Sequence, residues 1–214
     1  MKQPVDADEA FINAHTVLEY PALVPGILLY LATEITPLWQ ASEAFLHSHN
    51  VAPPFWAFAW PGSQALAVYV AQNPTLVAGK RVLDFAAGSG LAAITCARAG
   101  AVVAAADIDP LARVAMRMNA AVNGVALDIL AEDVVGQDCR WDVILCGDVC
   151  YEAPMAAHIL PWLRRCAAQA VVIIADPGRN YAPKGDFIEL ARIRVPTSLD
   201  LEEGTNRDVT VMQL

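Results

Sequence analysis

The sequence predicts an α/β domain: a parallel β-sheet with helices on both faces, preceded by a helical extension. Three observations predict it. From residue 80 onward, apolar runs of strand length alternate with helix-length stretches four or five times. The strand candidates are apolar along their whole length, as strands covered on both faces are. Glycine turns or acidic residues stand at their carboxyl ends, where ligands bind in open α/β sheets.

Each element has its own reason. Residues 1–50 read as helical and irregular. Asp6 or Asp8 caps a helix through "EAFINAHTVL", and Pro21, Pro25 and Pro37 break the pattern that follows. "QASEAFLHSHN" reads as one more helix before Pro53 and Pro54. The domain proper is taken as 51–214. "RVLDF" (81–85) is the first strand, "AAGSG" a turn, and "LAAITCARAG" a helix that Gly100 ends. "AVVAAAD" (101–107) is the second strand. The next helix has Asp109 as cap, Pro110 in its first turn and Gly124 at its end. "LDILAED" (127–133) and "WDVILCGD" (141–148) are strands three and four. "PMAAHILPWLRRCAA" is a helix and "AVVIIAD" (170–176) a fifth strand. "FIELARIRV" (187–195) and "DVTVMQL" (208–214) are late strands.

Composition excludes several function classes. The 214 residues are 56% hydrophobic and 17% charged, which fits a folded domain rather than disorder. Net charge is −9 with no Lys/Arg cluster, so nothing here replaces nucleic-acid counterions. An acidic surface suits a small ligand or a basic, lysine-bearing protein. The five cysteines form no CxxC pair and no His stands at metal-ligand spacing, so no metal site is expected. Reduced cysteines fit a reducing cytosol. "MKQPVDADEA" has neither a signal-peptide h-region nor an Arg-rich transit character, and the expected location is cytoplasmic. No uncharged apolar run reaches the ~18 residues of a membrane span.

Five acids, Asp84, Asp107, Asp133, Asp148 and Asp176, fall near the strand ends and would line one rim. In "LDFAAGSG", Gly88 and Gly90 let the backbone turn tightly beside a ligand. "GSGLAA" alone also passes for a dinucleotide fingerprint, with Asp107 where a ribose acid would sit. Three features point away from NAD. Asp84 is a carboxylate next to the turn, unsuited to a pyrophosphate. Asp133 ends the third strand, where it can accept from an adenine amino group. Some 80 residues precede the first strand.

Together these resemble the seven-stranded, Rossmann-like methyltransferases that use S-adenosylmethionine. The resemblance implies that Asp84, Ala86, Gly88 and Gly90 line the methionine side and that Asp107 holds the ribose hydroxyls. It implies that Ile108 packs on the adenine and that Asp133 and Val134 border its edge. After the fourth strand the chain has "GDVCYE" rather than Asn-Pro-Pro-Tyr, which disfavours amide and base acceptors. The spacing of Asp148 and Tyr151 resembles the family 16 protein-lysine methyltransferases. "PPFWAFAWPGSQALAVYV", "ADIDP", "GDVCYE" and "DPGRNY" resemble, in order, the electron-transfer flavoprotein β-subunit lysine methyltransferases. That likeness implies a protein substrate bearing a target lysine. It implies Asp148 orienting the amine, Tyr151 bonding it or walling its channel, Gly147 lining the cofactor, and Trp60 against the methionine moiety or the entering lysine. Arg179 either contacts the substrate or braces Asp176. Other methyl acceptors, such as a ribosomal protein or a small amine, stay open, as does a nicotinamide-dependent oxidoreductase.

Overall fold

The computed structural model describes residues 7–33, 53–197 and 204–214. The expected helix at "QASEAFLHSHN" lies outside these residues. Helix α1 (Ala7–His15) opens the described chain. It stops three residues short of the expected Leu18, because Val17–Glu19 (β1) pairs antiparallel with Leu29–Leu31 (β2). Asp8 lies inside the first turn of α1, and Asp6 falls outside the described residues. The described part of the extension is therefore a helix followed by a two-stranded hairpin.

Helices α2 (Pro61–Gln72), α3 (Leu91–Arg98), α4 (Pro110–Val122) and α5 (Ala153–Cys166) follow. The strands are β3 (Arg81–Phe85), β4 (Val102–Ala106), β5 (Asp128–Leu130), β6 (Val143–Gly147), β7 (Val171–Asp176), β8 (Ile188–Pro196) and β9 (Asn206–Gln213). They form one seven-stranded sheet, ordered β5-β4-β3-β6-β7-β9-β8. Five strands run parallel; β9 is antiparallel to both β7 and β8. The sheet is thus mixed, where alternation alone predicted a parallel one.

Sheet periodicity distributes the core. Val82, Val103, Ala105, Val143 and Leu145 face α2 and α3, while Leu83, Ala104, Ile144, Cys146 and Ile174 face Ile159, Trp162 and Leu163 of α5. From β3 the chain winds outward to β4 and β5, then returns across the sheet to β6. The switch point therefore lies between the carboxyl ends of β3 and β6, where a crevice opens. The hairpin is tied to α4, since Leu28 N and Tyr30 N donate to Asn123 Oδ1 and Asn119 Oδ1 at 3.1 and 2.8 Å. Among the described residues, no helix is long and apolar enough to cross a membrane, and no group of His, Cys, Asp or Glu could hold a metal.

Candidate active site

A cavity of about 880 Å³ occupies the switch point. On its floor, the turn after β3 brings Ala86 and Gly88 against the end of β4. Ala86 and Gly88 both adopt left-handed backbone, at φ 52° and 53°. A side chain at Gly88 would approach the Cα of Trp56 and the carbonyl of Phe55 at 3.8 and 3.9 Å, so residues 55–57 roof the turn closely. Asp107 ties the two loops together. One carboxylate oxygen accepts from Gly88 N at 2.9 Å, the other from Asp109 N at 3.0 Å. Burial raises its pKa, and the two N–H donors oppose that rise. Asp109 caps α4 as its sequence predicts, accepting from Leu111 N at 2.9 Å.

Ile108 is 73% exposed and stands on the cavity wall. Opposite it lie Asp133 and the buried Val134. Asp133 accepts from Val135 N at 2.9 Å, and its second oxygen lies 3.6 Å from Nε2 of His158 on α5. His158, left without a role by the sequence, thus belongs to the wall.

Two predicted residues lie behind the wall. Asp84 is 3% exposed and turns away to accept from Ala93 N of α3 at 2.8 Å. Burial pushes its carboxyl up to about 7. Gly90 starts α3 at φ 77°, where a Cβ would press on Met116 Cγ at 3.1 Å. Both shape the turn without lining the cavity.

The other half of the site is built by β6, α2 and the loop after β7. Asp148 has left-handed backbone, φ 54°, and is 7% exposed. Its Oδ2 accepts a short hydrogen bond from Gly62 N, in the first turn of α2. Its Oδ1 accepts from Arg179 Nη2 at 3.1 Å. Its own N–H donates to Ala175 O at 3.0 Å. The backbones here leave no room for side chains. A Cβ on Gly62 would meet Ala175 O and Asp148 Oδ2 at 2.5 Å, and one on Gly147 would meet Ser63 N at 2.8 Å. Burial pushes the Asp148 carboxyl up to about 6, against the guanidinium and the Gly62 N–H, which favour its anion. Asp176 accepts from both Gly178 N and Arg179 N, at 2.8 and 2.6 Å. Arg179 therefore braces Asp176 through its backbone and Asp148 through its side chain. That second partnership was not read from the sequence.

Aromatic rings form the adjoining wall. Phe55 lies between Trp60 and Tyr151, with ring centroids 5.9 and 5.6 Å away. Trp60 Nε1 donates to Phe55 O at 2.7 Å, which fixes its ring. Trp56 is 1% exposed in the core beside α4, with an edge on the cavity. Phe55 went unnoticed because a lone phenylalanine among prolines and tryptophans carries no spacing signal.

The arrangement joins a mostly apolar cavity, a glycine turn tied to Asp107 and a buried carboxylate flanked by aromatic rings. Known proteins resemble the chain in sequence and fold. Residues 65–150 match the family described as ribosomal protein L11 methyltransferase (PrmA). The electron transfer flavoprotein beta subunit lysine methyltransferase of Danio rerio is 34% identical over 206 residues, covering 92% of this chain and 79% of that protein. The Xenopus laevis protein of the same name is 40% identical over 176 residues, covering 79% and 70%. Among solved structures, the magnesium protoporphyrin IX methyltransferase of Synechocystis with bound SAM superposes with a TM-score of 0.54 at 16% identity, over 71% of this chain and 77% of that one. A 16S rRNA methyltransferase of T. thermophilus, in complex with AdoMet and guanosine, gives 0.52 at 21%, over 73% and 43%. These two share the fold. The nicotinamide alternative falls, because relatives and fold neighbours are methyltransferases. Likeness at this level over most of both chains means that the protein belongs to the electron-transfer flavoprotein β-subunit lysine methyltransferase family.

Proposed function

We propose that this protein transfers a methyl group from S-adenosylmethionine to a lysine of the electron-transfer flavoprotein β subunit, with residues 51–214 as the catalytic unit and the residues before them as an extension whose described hairpin docks on α4. The observation that carries the reading is Asp148, a buried carboxylate at the end of β6 on the wall of a cavity it shares with Trp60 and Tyr151. The cavity also fits the cofactor: Gly88 bears no side chain, and the exposed Ile108 offers an apolar face that needs cover.

Ala86 and Gly88 would hold the methionine part, Asp107 the ribose hydroxyls, and Ile108, Asp133 and Val134 the adenine. When bound, S-adenosylmethionine supplies an electrophilic methyl group on a sulfonium. A lysine amine, with an ordinary pKa near ~10.4, must shed its proton to water before it can attack. Asp148 then accepts a hydrogen bond from the amine, aims its lone pair and stabilises the charge that arrives on nitrogen. Tyr151 and Trp60 wall the channel and favour a cationic head group over their faces.

A ribosomal-protein acceptor is the competing reading, favoured by the match over residues 65–150. Both acceptors belong in one assay: tritiated S-adenosylmethionine, the flavoprotein β subunit and ribosomal protein L11, followed by mass spectrometry. Label on a flavoprotein lysine is expected. Label on ribosomal protein alone would reassign the acceptor. Asp148→Ala should abolish transfer while calorimetric cofactor affinity stays within about threefold. Full activity in that variant would remove Asp148 from the mechanism.

A further inference from the structure

The proposed reaction leaves one electrostatic problem. A carboxylate close to an amine raises the amine's pKa and so holds on to the proton that must leave. Asp148 alone would trap its own substrate as ammonium. The structure places a cation where it answers this. Arg179 Nη2 lies 3.1 Å from Asp148 Oδ1, with both side chains on the cavity.

We propose that Arg179 is a positioning residue that neutralises Asp148, so that the acceptor lysine sits in the site as the free amine. This rests on the lysine-methyltransferase reading above. The reasoning is a charge balance. With the guanidinium present, ionised Asp148 is already compensated, and a neutral amine can accept its alignment without bringing a proton. With the guanidinium gone, the same balance is reached only when carboxylate and amine share an extra proton. That proton has to leave before nitrogen can attack. A proton lost to water frees the lone pair; the C–N bond then forms as the C–S bond breaks, with its electrons passing to sulfur.

The groups facing Asp148 support this assignment. From α2 comes only the Gly62 N–H. From the end of β7 come Arg179 and the like charge of Asp176, whose Oδ1 is already met by the Gly178 and Arg179 backbone N–H groups. On the loop of Asp148 itself, burial pushes the Cys150 thiol up to about 12 and raises the Tyr151 phenol, so both are neutral at working pH. Asp107 stands across the cavity with both oxygens engaged by backbone N–H groups. Among the described residues, Arg179 is thus the cation at hand to Asp148. Its backbone is pinned through Asp176, which fixes where the side chain starts.

The test is the pH dependence of kcat for methylation of the flavoprotein β subunit, in the wild type, Arg179→Gln and Arg179→Lys. kcat reports groups that titrate in the bound complex. In Arg179→Gln the rising limb should move to higher pH by about one to two units, the effect of one adjacent charge. At neutral pH kcat should be about ten- to a hundredfold lower, recovering in alkali. Arg179→Lys keeps the charge and should bring the limb back toward the wild-type position. In the free proteins, a carbon-13 NMR titration of the Asp148 carboxyl should show its midpoint higher in Arg179→Gln than in the wild type. A loss of kcat by the same factor at every pH, or an unmoved Asp148 midpoint, overturns the proposal and leaves Arg179 a structural brace. A wild-type enzyme inert on protein lysine overturns the functional reading itself, and this inference with it.

Discussion

Gly62→Ala is the most exposing single change. The added Cβ would lie 2.5 Å from both Ala175 O and Asp148 Oδ2, and 2.7 Å from Asp148 N. Two of those atoms are backbone, at the ends of β7 and β6, so no flexible side chain can give way. The first turn of α2 must back off from the sheet. Overpacking of this kind costs about 1–3 kcal/mol. Retreat also stretches the Gly62 N–H bond to a buried carboxylate, worth about 1.5–3 kcal/mol. Together they give about 2.5–6 kcal/mol, which for a chain of this length lowers Tm by about 5–24 °C. Gly26→Ala is the control, because a Cβ there meets only the end of Arg98 at 3.8 Å. Thermal unfolding followed by circular dichroism at pH 7.5 should show Gly26→Ala within 2–3 °C of wild type, at about 1 kcal/mol or less. Methyl transfer should fall in Gly62→Ala at temperatures where it is still folded, because Asp148 loses its aim. A Gly62→Ala protein with wild-type Tm would refute the claim that the junction of α2 with β6 is closed to a methyl group.

Three further outcomes follow. Asp107→Ala should weaken S-adenosylmethionine at least tenfold by calorimetry, since it removes the acid proposed for the ribose and also frees the Gly88 turn; unchanged affinity would mean that Asp107 is only a loop tie. Ile108→Ser should leave stability within about 0.5 kcal/mol, the residue being 73% exposed, yet cost the cofactor about tenfold in affinity. Equal cofactor affinity in the two proteins would place the adenine elsewhere. Asp84 gives a pH test. Its folded pKa, about 7, lies above the unfolded value near ~3.9, so its contribution to stability is complete below about pH 4 and is lost as pH rises through 7. That loss amounts to about 4 kcal/mol. Asp84→Asn keeps an oxygen for Ala93 N and carries no charge. Urea titrations should find it close to wild type at pH 4 and ahead at pH 8, and parallel curves would show that Asp84 titrates normally.

The sequence was most legible where local chemistry decides structure. β3 falls on 81–85 as read, and the Asp109–Pro110 start of α4 is as expected, because a cap and a helix-compatible proline act on their own neighbours. β5 shrank from seven residues to Asp128–Leu130 because it is an edge strand pairing with β4 alone, and Glu132 and Asp133 leave the sheet to border the cavity. Helix α2 was not recognised at all. Its buried residues include Pro61, Gly62, Gln64, Ala65, Leu66, Ala67 and Val70, so it shows little polar face to give a period. Nor does it carry a cap of its own: the Trp60 side chain bonds none of the helix's first N–H groups, and the capping carboxylate is Asp148, 86 residues away from Gly62. A cap supplied across the fold leaves no local signal. Arg179 escaped its role for the same reason, since its partner sits 31 positions upstream on another strand end.

That remote cap bears on what Asp148 is for. A left-handed backbone at φ 54° suits glycine best and aspartate tolerably. Glycine at this position would ease the turn but take the carboxylate away from Gly62 N–H and from the Arg179 guanidinium. Asparagine would accept from Gly62, yet offer Arg179 no charge. Both contacts therefore ask for a carboxylate, and burial works against its ionised form, lifting the pKa to about 6. The anion persists at neutral pH because the α2 N–H and Arg179 favour it. Capping the helix and serving the amine are thus not rival roles. The contacts that make Asp148 structural are the ones that keep it charged, and a charged Asp148, compensated by Arg179, is what the proposed chemistry needs.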